Sequence, residues 1–155
     1  MGIENVLHQT KIRHLNWAPV VRVESGSSIR EVLAMMQSSR VGCVLVTENQ
    51  KLVGIFTERD IITKLAGSDV DYSKTVREFM TPQPKTLHPE DSFAAAIQLM
   101  DKGCYRDIPL VDQEGGLLGR LSVTNIVDFL TEHYPQEVFS LSPHSRQKFA
   151  EPDGA

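Results

Sequence analysis

The sequence has few cysteines, few aromatic residues and no long hydrophobic run. Its 155 residues include two cysteines and one tryptophan, and 6% of the residues are aromatic. Apolar stretches such as residues 41–46 fall far short of the roughly 20 residues that span a bilayer, and residues 1–8 lack the pattern of a signal peptide. Cys43 and Cys104 can form at most one disulfide, which is typical of a reducing compartment. We therefore expect a soluble, cytoplasmic protein with no membrane partner.

The sequence has no large excess of either charge, and it lacks the motifs of several enzyme classes. The formal net charge is -4, which provides no overall basic field to attract nucleic acid. The sequence contains no Gly-x-Ser-x-Gly, P-loop or Gly-x-Gly-x-x-Gly motif, so hydrolase, P-loop and Rossmann chemistry are not expected. The five histidines lack the spacing of metal ligands. The sequence thus predicts neither an enzyme nor a metal or nucleic-acid site.

The sequence carries one pattern twice. Most matches fall in the register that places Gly54 on Gly119, whereas the upstream matches fall in the next shorter register, which places Ser28 on Ser92. A single extra residue near Gly103 would account for the difference. Because glycine, hydroxyl and acid-or-amide positions match together with apolar positions, the pattern indicates an internal repeat. The matched pairs in the main register include Leu45 with Leu110, Val46 with Val111, Thr57 with Ser122 and Asp60 with Asn125.

Each repeat is typical of the order strand, helix, strand, strand, helix. Ser28 followed by Glu31 predicts a capping box, and apolar residues then recur at helical spacing. In the second repeat Asp91 or Ser92 is the expected cap. The helix that begins at Thr57 is expected to turn Ile61, Ile62 and Leu65 towards the core. The expected strands are residues 20–23, 43–47, 51–56, 86–87, 108–111 and 117–121.

The organisation of the chain follows from the size of the repeats. A repeat of about 50 residues has too small a core to be stable alone, so the two are expected to pack together. The predicted fold class is α+β, with two β-α-β-β-α repeats packed sheet to sheet in pseudo-two-fold symmetry. The predicted divisions are a polar lead (1–16), repeat 1 (17–66), a linker (67–75), repeat 2 (76–131) and a tail (132–155) whose apolar residues favour partial docking on the body.

One motif in each repeat carries chemistry. A hydroxyl residue followed three positions later by an acid or amide is close to a capping box, and capping is the simpler interpretation. A strand that runs into a helix start also exposes free backbone amides that suit an anion. A carboxylate in the first turn can in addition accept hydrogen bonds from vicinal hydroxyls such as a ribose diol. The motifs are Gly54-x-x-Thr57-x-x-Asp60 and Gly119-x-x-Ser122-x-x-Asn125.

The double repeat, the Met80-Thr81-Pro82 opener, the segment 106–112 (RDIPLVD) and the paired motifs resemble a tandem pair of cystathionine-β-synthase (CBS) domains. The resemblance covers residues 17–131 and is similar to free-standing prokaryotic CBS-pair proteins. It implies two clefts that bind adenosine-containing ligands, foremost AMP, ADP or ATP, with S-adenosylmethionine or NAD(H) less favoured and Mg²⁺ arriving only with phosphate. It also implies a homodimer.

The resemblance places ligand-binding roles on individual residues. Asp60 takes the ribose position, with Asn125 as its weaker partner because it lacks the charge, and Thr57 and Ser122 take the hydroxyl position. The repeats also differ at Arg22, which matches Thr86 of the second repeat. Because of these differences, the two clefts are not expected to be equivalent. The expected adenine contacts are Val20, Val21, Val41 and residues 42–44 in repeat 1, and Lys85, Thr86, Ile108 and Pro109 in repeat 2. The first candidates for a phosphate contact are Arg59 and Arg106. Further candidates are Arg40, Lys102 and Arg120.

Two functions are compatible with this pattern. The first is a regulatory module, not an enzyme, that senses an adenine nucleotide and transmits a conformational change to an unknown protein partner. The alternative is a constitutive interaction or assembly module whose clefts are empty or filled by the protein's own side chains. Binding of a nucleotide distinguishes the two, because a ligand that binds the folded state raises its stability.

Overall fold

Two β-sheets that pack face to face, each with helices on its outer side, build the fold. The computed structural model describes residues 2–136, so the predicted docking of the tail lies outside the described residues. Within that range no helix is long and apolar enough to cross a bilayer. The elements are α1 (Ile3–Gln9), β1 (Arg22–Glu24), α2 (Ile29–Ser39), β2 (Cys43–Glu48), β3 (Lys51–Thr57), α3 (Glu58–Asp60), a π-helical turn (Ile61–Leu65), β4 (Thr81–Pro82), α4 (Phe93–Gly103), β5 (Asp107–Val111), β6 (Leu117–Ser122) and α5 (Val123–His133).

The helix starts form as their sequences predict. The Ser28 hydroxyl accepts a hydrogen bond from the Glu31 N–H at 3.2 Å, which completes the predicted capping box of α2. The Ser92 hydroxyl caps α4 through the Ala95 N–H at 3.1 Å. Asp91, the other candidate cap, instead accepts from the His88 N–H at 2.8 Å. Local spacing therefore determines where these helices begin.

The sheets differ in size. Strands β1 to β4 form one sheet in chain order, parallel between β1 and β2 and antiparallel elsewhere, whereas β5 and β6 form a two-stranded sheet. The strand expected at residues 86–87 is reduced to a parallel bridge between Leu87 and Leu110. The next residue that would donate to β5 is Pro89, which has no N–H, so the ladder ends there. The α+β class with sheet-to-sheet packing is confirmed.

The segment that leads into each repeat pairs with the last strand of the other repeat. Strand β4, near the start of repeat 2, pairs with Gly54 and Ile55 of β3. The Ala18 N–H, near the start of repeat 1, donates to the Arg120 carbonyl of β6 with an N–O distance of 2.9 Å. These two crossings tie the repeats together around the pseudo-two-fold axis.

The register of the repeat differs from the sequence expectation. Val44 lies opposite Phe56, and Ile108 lies opposite Leu121, so Val44 and Ile108 are equivalent, in the same register as Ser28 and Ser92. The expected match of Leu45 with Leu110 is therefore wrong, as is that of Val46 with Val111. The extra residue lies in the hairpin turn, which spans positions 112–116 in repeat 2 but 48–51 in repeat 1, and not near Gly103.

Three apolar clusters stabilise the structure. One packs α2 on the outer face of the first sheet, and a second packs α4 and α5 on the outer face of the other. The third lies between the sheets and joins Leu117 of repeat 2 to Cys43 and Leu45 of repeat 1. Ile12 and Leu15, in the segment expected to be a polar lead, are buried in the second cluster. Polar neighbours hide these two residues from a search for periodicity.

Ile62 points to solvent, contrary to expectation. Its side chain is 69% exposed, whereas Leu65 is buried and Ile61 packs against the first core. The chain forms a π-helical turn here, closed by the Ala66 N–H and the Ile61 carbonyl at 2.8 Å. A π turn contains more residues than an α turn, so the positions that face inward are not those that an α-helical period predicts.

Candidate functional site

The centre of the first motif is Asp60, a buried residue that is 5% exposed as a whole. The contacts of its carboxylate are all made within the protein. Its Oδ2 accepts hydrogen bonds from the Thr57 N–H at 3.0 Å and from the Thr57 hydroxyl at 3.3 Å. Its Oδ1 accepts from the Thr81 hydroxyl at 3.2 Å and lies 2.9 Å from the ammonium of Lys64. A carboxylate offers about four acceptor positions. All of them are occupied by the protein in this structure.

Lys64 joins this motif to the start of the second repeat. Besides its ion pair with Asp60, its ammonium donates to the Phe79 carbonyl at 2.7 Å and to the Met80 carbonyl at 3.4 Å. Neither Lys64 nor Thr81 is among the residues expected at the site. The i, i+4 spacing of Asp60 and Lys64 is a signal that identifies the ion pair in the sequence. No comparable local signal identifies Thr81, which is distant in sequence from its partner.

An open groove lies between the end of α2 and the helix that follows the first motif, and neither Thr57 nor Asp60 is part of its lining. Its volume is about 380 Å³, which is within the range of roughly 300–1,000 Å³ that is usual for small-molecule sites. Glu58 and Ile61, on either side of Asp60 in the sequence, form one wall, and Gly42 lies under Glu58. A Cβ at position 42 would lie 2.5 Å from the Glu58 Oε1. With any residue other than glycine at position 42, the side chain of Glu58 would have to move. The full lining is Leu33, Met36, Gln37, Arg40, Val41, Gly42, Glu58 and Ile61.

The second motif has the same backbone geometry and a different chemistry. The Asn125 Oδ1 accepts from the Ser122 N–H at 2.8 Å and from its hydroxyl at 3.0 Å, as a capping box requires. Phe129 follows Asn125 at the same spacing as Lys64 follows Asp60. Ala18 takes the place of Thr81, because it pairs with Arg120 as Thr81 pairs with Ile55, and it brings no hydroxyl.

A small cavity lies beside the second motif, on the helix face of Asn125 and Phe129, whereas the groove of repeat 1 lies on another face, since Asp60 and Lys64 are not part of its lining. Its volume is about 70 Å³, against about 380 Å³ for the groove. Asn125 and Phe129 are both part of its lining. The usual lower limit for a small-molecule site is about 300 Å³, so this cavity is too small for a nucleoside.

A half-buried ion pair further separates the second repeat from the first. Arg120 pairs with Asp107, their side chains are 14% and 22% exposed, and Arg120 also donates to the Pro19 carbonyl at 3.3 Å. The Arg120 Nε is buried and has no hydrogen-bond partner among the described residues. In the register of the structure, Arg120 and Asp107 occupy the positions of Ile55 and Cys43. An apolar pair in one repeat is thus an ionic pair in the other.

Cys43 is a core residue. It is buried between the sheets. Burial raises the pKa of its thiol to about 12, and the nearby Asp107 carboxylate contributes to this rise. The thiol is therefore neutral at physiological pH. Cys104 is exposed at the left-handed C-cap of α4.

The other expected ligand contacts are dispersed over the structure. Arg40 and Val41 line the groove, whereas the side chains of Arg59 and Arg106 are exposed to solvent. Ile108 is fully buried in the core of repeat 2, on the face of β5 opposite to Pro109. Val20, Val21 and Thr86 are partly buried, and the Val21 carbonyl accepts a hydrogen bond from the Leu45 N–H of β2. Lys85 and Lys102 are exposed.

Comparison with known sequences identifies the repeat. A family model described as the CBS domain matches the chain twice, over residues 12–67 and 76–132. An uncharacterized 17.7 kDa protein of Acidianus ambivalens is 27% identical over 124 residues, which cover 79% of this chain and 74% of that protein. The inosine-5'-monophosphate dehydrogenase of Aquifex aeolicus is 33% identical over 109 residues, which cover 69% of this chain and 22% of the enzyme. The chain spans less than half the length of most curated relatives that it matches.

Solved structures share the architecture. The CBS domain protein NE2398 is 27% identical with a TM-score of 0.70, and the match covers 77% of this chain and 96% of that one. CBSX2 of Arabidopsis thaliana in complex with AMP is 21% identical with a TM-score of 0.72 and coverage of 81% and 99%. The CBS pair of MJ0100 in complex with 5'-methylthioadenosine and S-adenosyl-L-methionine is 24% identical with a TM-score of 0.69 and coverage of 79% and 97%. Sequence and fold agree, and the chain belongs to the CBS domain family as a tandem pair of repeats.

Proposed function

We propose that this CBS pair is a regulatory module that binds an adenosine-containing ligand at its first repeat and conveys the binding to a protein partner. The observation that carries the proposal is the buried Asp60 carboxylate, which Thr57 holds at a helix start of repeat 1. The ligands of CBSX2 and MJ0100 support the class of ligand, since AMP, 5'-methylthioadenosine and S-adenosyl-L-methionine all contain adenosine. AMP, ADP and ATP are the first candidates, and S-adenosylmethionine and NAD(H) follow.

The chemistry of the first repeat fits the parts of such a ligand. The Asp60 carboxylate accepts charge-assisted hydrogen bonds from the ribose hydroxyls. Val20, Val21 and Val41, the apolar residues expected to contact the base, are partly buried, and the exposed Arg40 is available to a phosphate. Arg59, whose side chain is exposed beside Asp60, adds a second cation.

Regulation requires that the ligand favours one arrangement of the repeats over another. The crossing of β4 onto β3 provides a direct mechanical connection between the ligand site and repeat 2. A homodimer is part of the proposal. Ile62 and Val127, which are matching positions of the two repeats, are 69% and 50% exposed and present apolar surface for a second copy.

Isothermal titration calorimetry with AMP, ADP, ATP, S-adenosylmethionine and NAD⁺ tests the proposal. Asp60→Asn is the informative variant, because asparagine at the matching position 125 preserves the helix cap. The variant should weaken binding tenfold or more, equivalent to about 1.4 kcal/mol. Asp69→Asn, an exposed acid of the linker, is the matched control and should bind as the wild type does. No binding of any of the five compounds, or equal affinity in the Asp60 variant, contradicts the proposal.

A second candidate function is a constitutive assembly module. It is favoured by the full occupation of the Asp60 carboxylate by Thr57, Thr81 and Lys64. Under this alternative, saturating nucleotide leaves the melting temperature unchanged. A regulatory site instead raises the melting temperature with ligand concentration, since binding to the folded state stabilises it by about 2.7 kcal/mol at a hundred times Kd.

A further inference from the structure

We propose that Lys64 is an internal competitor for the ligand at Asp60, and that its displacement on binding carries the signal to repeat 2. The inference rests on the proposed function, because it concerns the same carboxylate. It is specific to this chain, since it depends on a lysine one helical turn after the acid and on the contacts of that lysine with the start of repeat 2.

The competition follows from counting acceptors on the Asp60 carboxylate. Its two oxygens have about four acceptor positions, and Thr57, Thr81 and Lys64 fill all four. The two bonds from Thr57 fix the start of α3, so they persist whenever the helix is formed. A diol that binds the carboxylate must therefore replace the bonds to Oδ1, which come from Thr81 and Lys64.

Lys64 is able to leave without disturbing the core. Its side chain is 37% exposed, whereas that of Asp60 is 7% exposed. A lysine stem is long and flexible and keeps its charged end near water. The ammonium can therefore turn outward at little cost, while the carboxylate stays in place to accept the ligand.

Displacement of Lys64 alters the entry to repeat 2. The same ammonium holds the Phe79 and Met80 carbonyls, directly before β4, and Thr81 of β4 provides the other bond to Oδ1. When the ligand takes Oδ1, the segment 79–81 loses its polar attachment to the helix of repeat 1. Its backbone pairing to Gly54 and Ile55 then remains as the main connection.

Among the described residues, the second motif has no counterpart of the lysine that pairs with the acid. Phe129 replaces the lysine, and Asn125 replaces the acid. The aromatic ring of Phe129 packs edge-on against Phe93 with centroids 5.3 Å apart, against the core of repeat 2. The proposed switch is thus confined to repeat 1. The signal therefore passes from the ligand site of repeat 1 to repeat 2.

Lysine acylation footprinting by mass spectrometry tests the displacement directly. Full-length protein is labelled with and without saturating AMP, or S-adenosylmethionine if AMP gives no heat on titration. The Lys64 ammonium should become more reactive in the presence of ligand, because it loses its carboxylate and carbonyl partners. Lys74, an exposed lysine 4.0 Å from Glu78, serves as the internal reference and should not change. Protection of Lys64, or no change, overturns the inference.

Affinity measurements on two variants provide the second test. Lys64→Met removes the competing ammonium and keeps the stem, so AMP should bind about threefold more tightly, the size of a partly exposed ion pair. Lys74→Met is the matched control and should not alter the affinity. Thr81→Val should act in the same direction as Lys64→Met, which keeps the test valid if one variant fails to fold. Weaker binding by Lys64→Met assigns the lysine to ligand contact and overturns the inference, whereas no binding even by the wild type overturns the proposed function itself.

Discussion

The indole of Trp17 lies against Gly119, so closely that a Cβ at position 119 would be 2.7 Å from the Cε3 of the ring. The other repeat has a counterpart, because the Met80 side chain fills the space over Gly54. Each residue comes from the segment that leads into the opposite repeat. The two glycines of the repeated motif therefore serve the joint between the repeats, whether or not a ligand is bound.

This packing predicts that Gly119→Ala and Gly54→Ala destabilise the protein. The added methyl group overlaps a side chain in a packed joint, and such overpacking costs about 1–3 kcal/mol. Gly26 is the matched control, since a Cβ at that position would have no atom within 4 Å. Urea denaturation followed by circular dichroism measures the free energy of unfolding. Unchanged stability of both glycine variants would show that the joint adjusts freely to an added methyl group.

The ion pair of Asp107 and Arg120 predicts an asymmetric mutational response. Arg120→Ile alone leaves a carboxylate partly buried without a partner, which costs about 2 kcal/mol or more. The double variant Asp107→Ala/Arg120→Ile recreates an apolar pair like that of repeat 1 and should be more stable than the single variant. Urea denaturation of both single variants and the double variant gives the coupling free energy. A double variant as unstable as the sum of the single variants would refute this interpretation.

Local patterns in the sequence predict much of this structure. The Ser28 capping box, the hairpins and the bonds between Thr57 and Asp60 join residues close in sequence, where chemistry and spacing are enough. The contacts of Lys64 with Phe79 and of Trp17 with Gly119 join residues that are distant in sequence. Such contacts depend on how the repeats cross, which no local pattern encodes.

The error in the repeat register has a similar physical origin. Leucine and valine occur on both faces of β2 and β5, because one face packs on helices and the other on the opposite sheet. A shift by one residue exchanges the faces but keeps an apolar residue at almost every position. The match of Leu45 with Leu110 in the sequence therefore does not reveal the shift. In the register of the structure, the position equivalent to Cys43 is Asp107 and not Ile108.

The thiols of the two cysteines are expected to differ in their reactivity. Because burial raises the pKa of the Cys43 thiol from its ordinary value of 9.0 to about 12, folding favours the neutral thiol. Its contribution to stability is complete below about pH 9 and declines as the pH rises towards 12. At about pH 8, where an ordinary thiol is partly ionised, Ellman's reagent should modify the exposed Cys104 rapidly and Cys43 only after unfolding in urea. Cys104→Ser should abolish the fast phase; a fast phase that persists in this variant would show that the native fold exposes Cys43.

The difference between the two motifs predicts a stoichiometry of one ligand per chain. The second motif has an amide in place of the carboxylate and an aromatic ring in place of Lys64, and the cavity beside it has a volume of only about 70 Å³. Calorimetric titration with AMP should thus give one site, which Asp60→Asn weakens and Asn125→Ala leaves unchanged in affinity. Asn125→Ala should still lower the melting temperature, because the amide completes the capping box that Ser122 begins at the start of α5, and such caps contribute about 1 kcal/mol. Two equivalents of AMP per chain, or a loss of binding in the Asn125 variant, would show that the second cleft opens to ligand and that the two repeats act as equal partners.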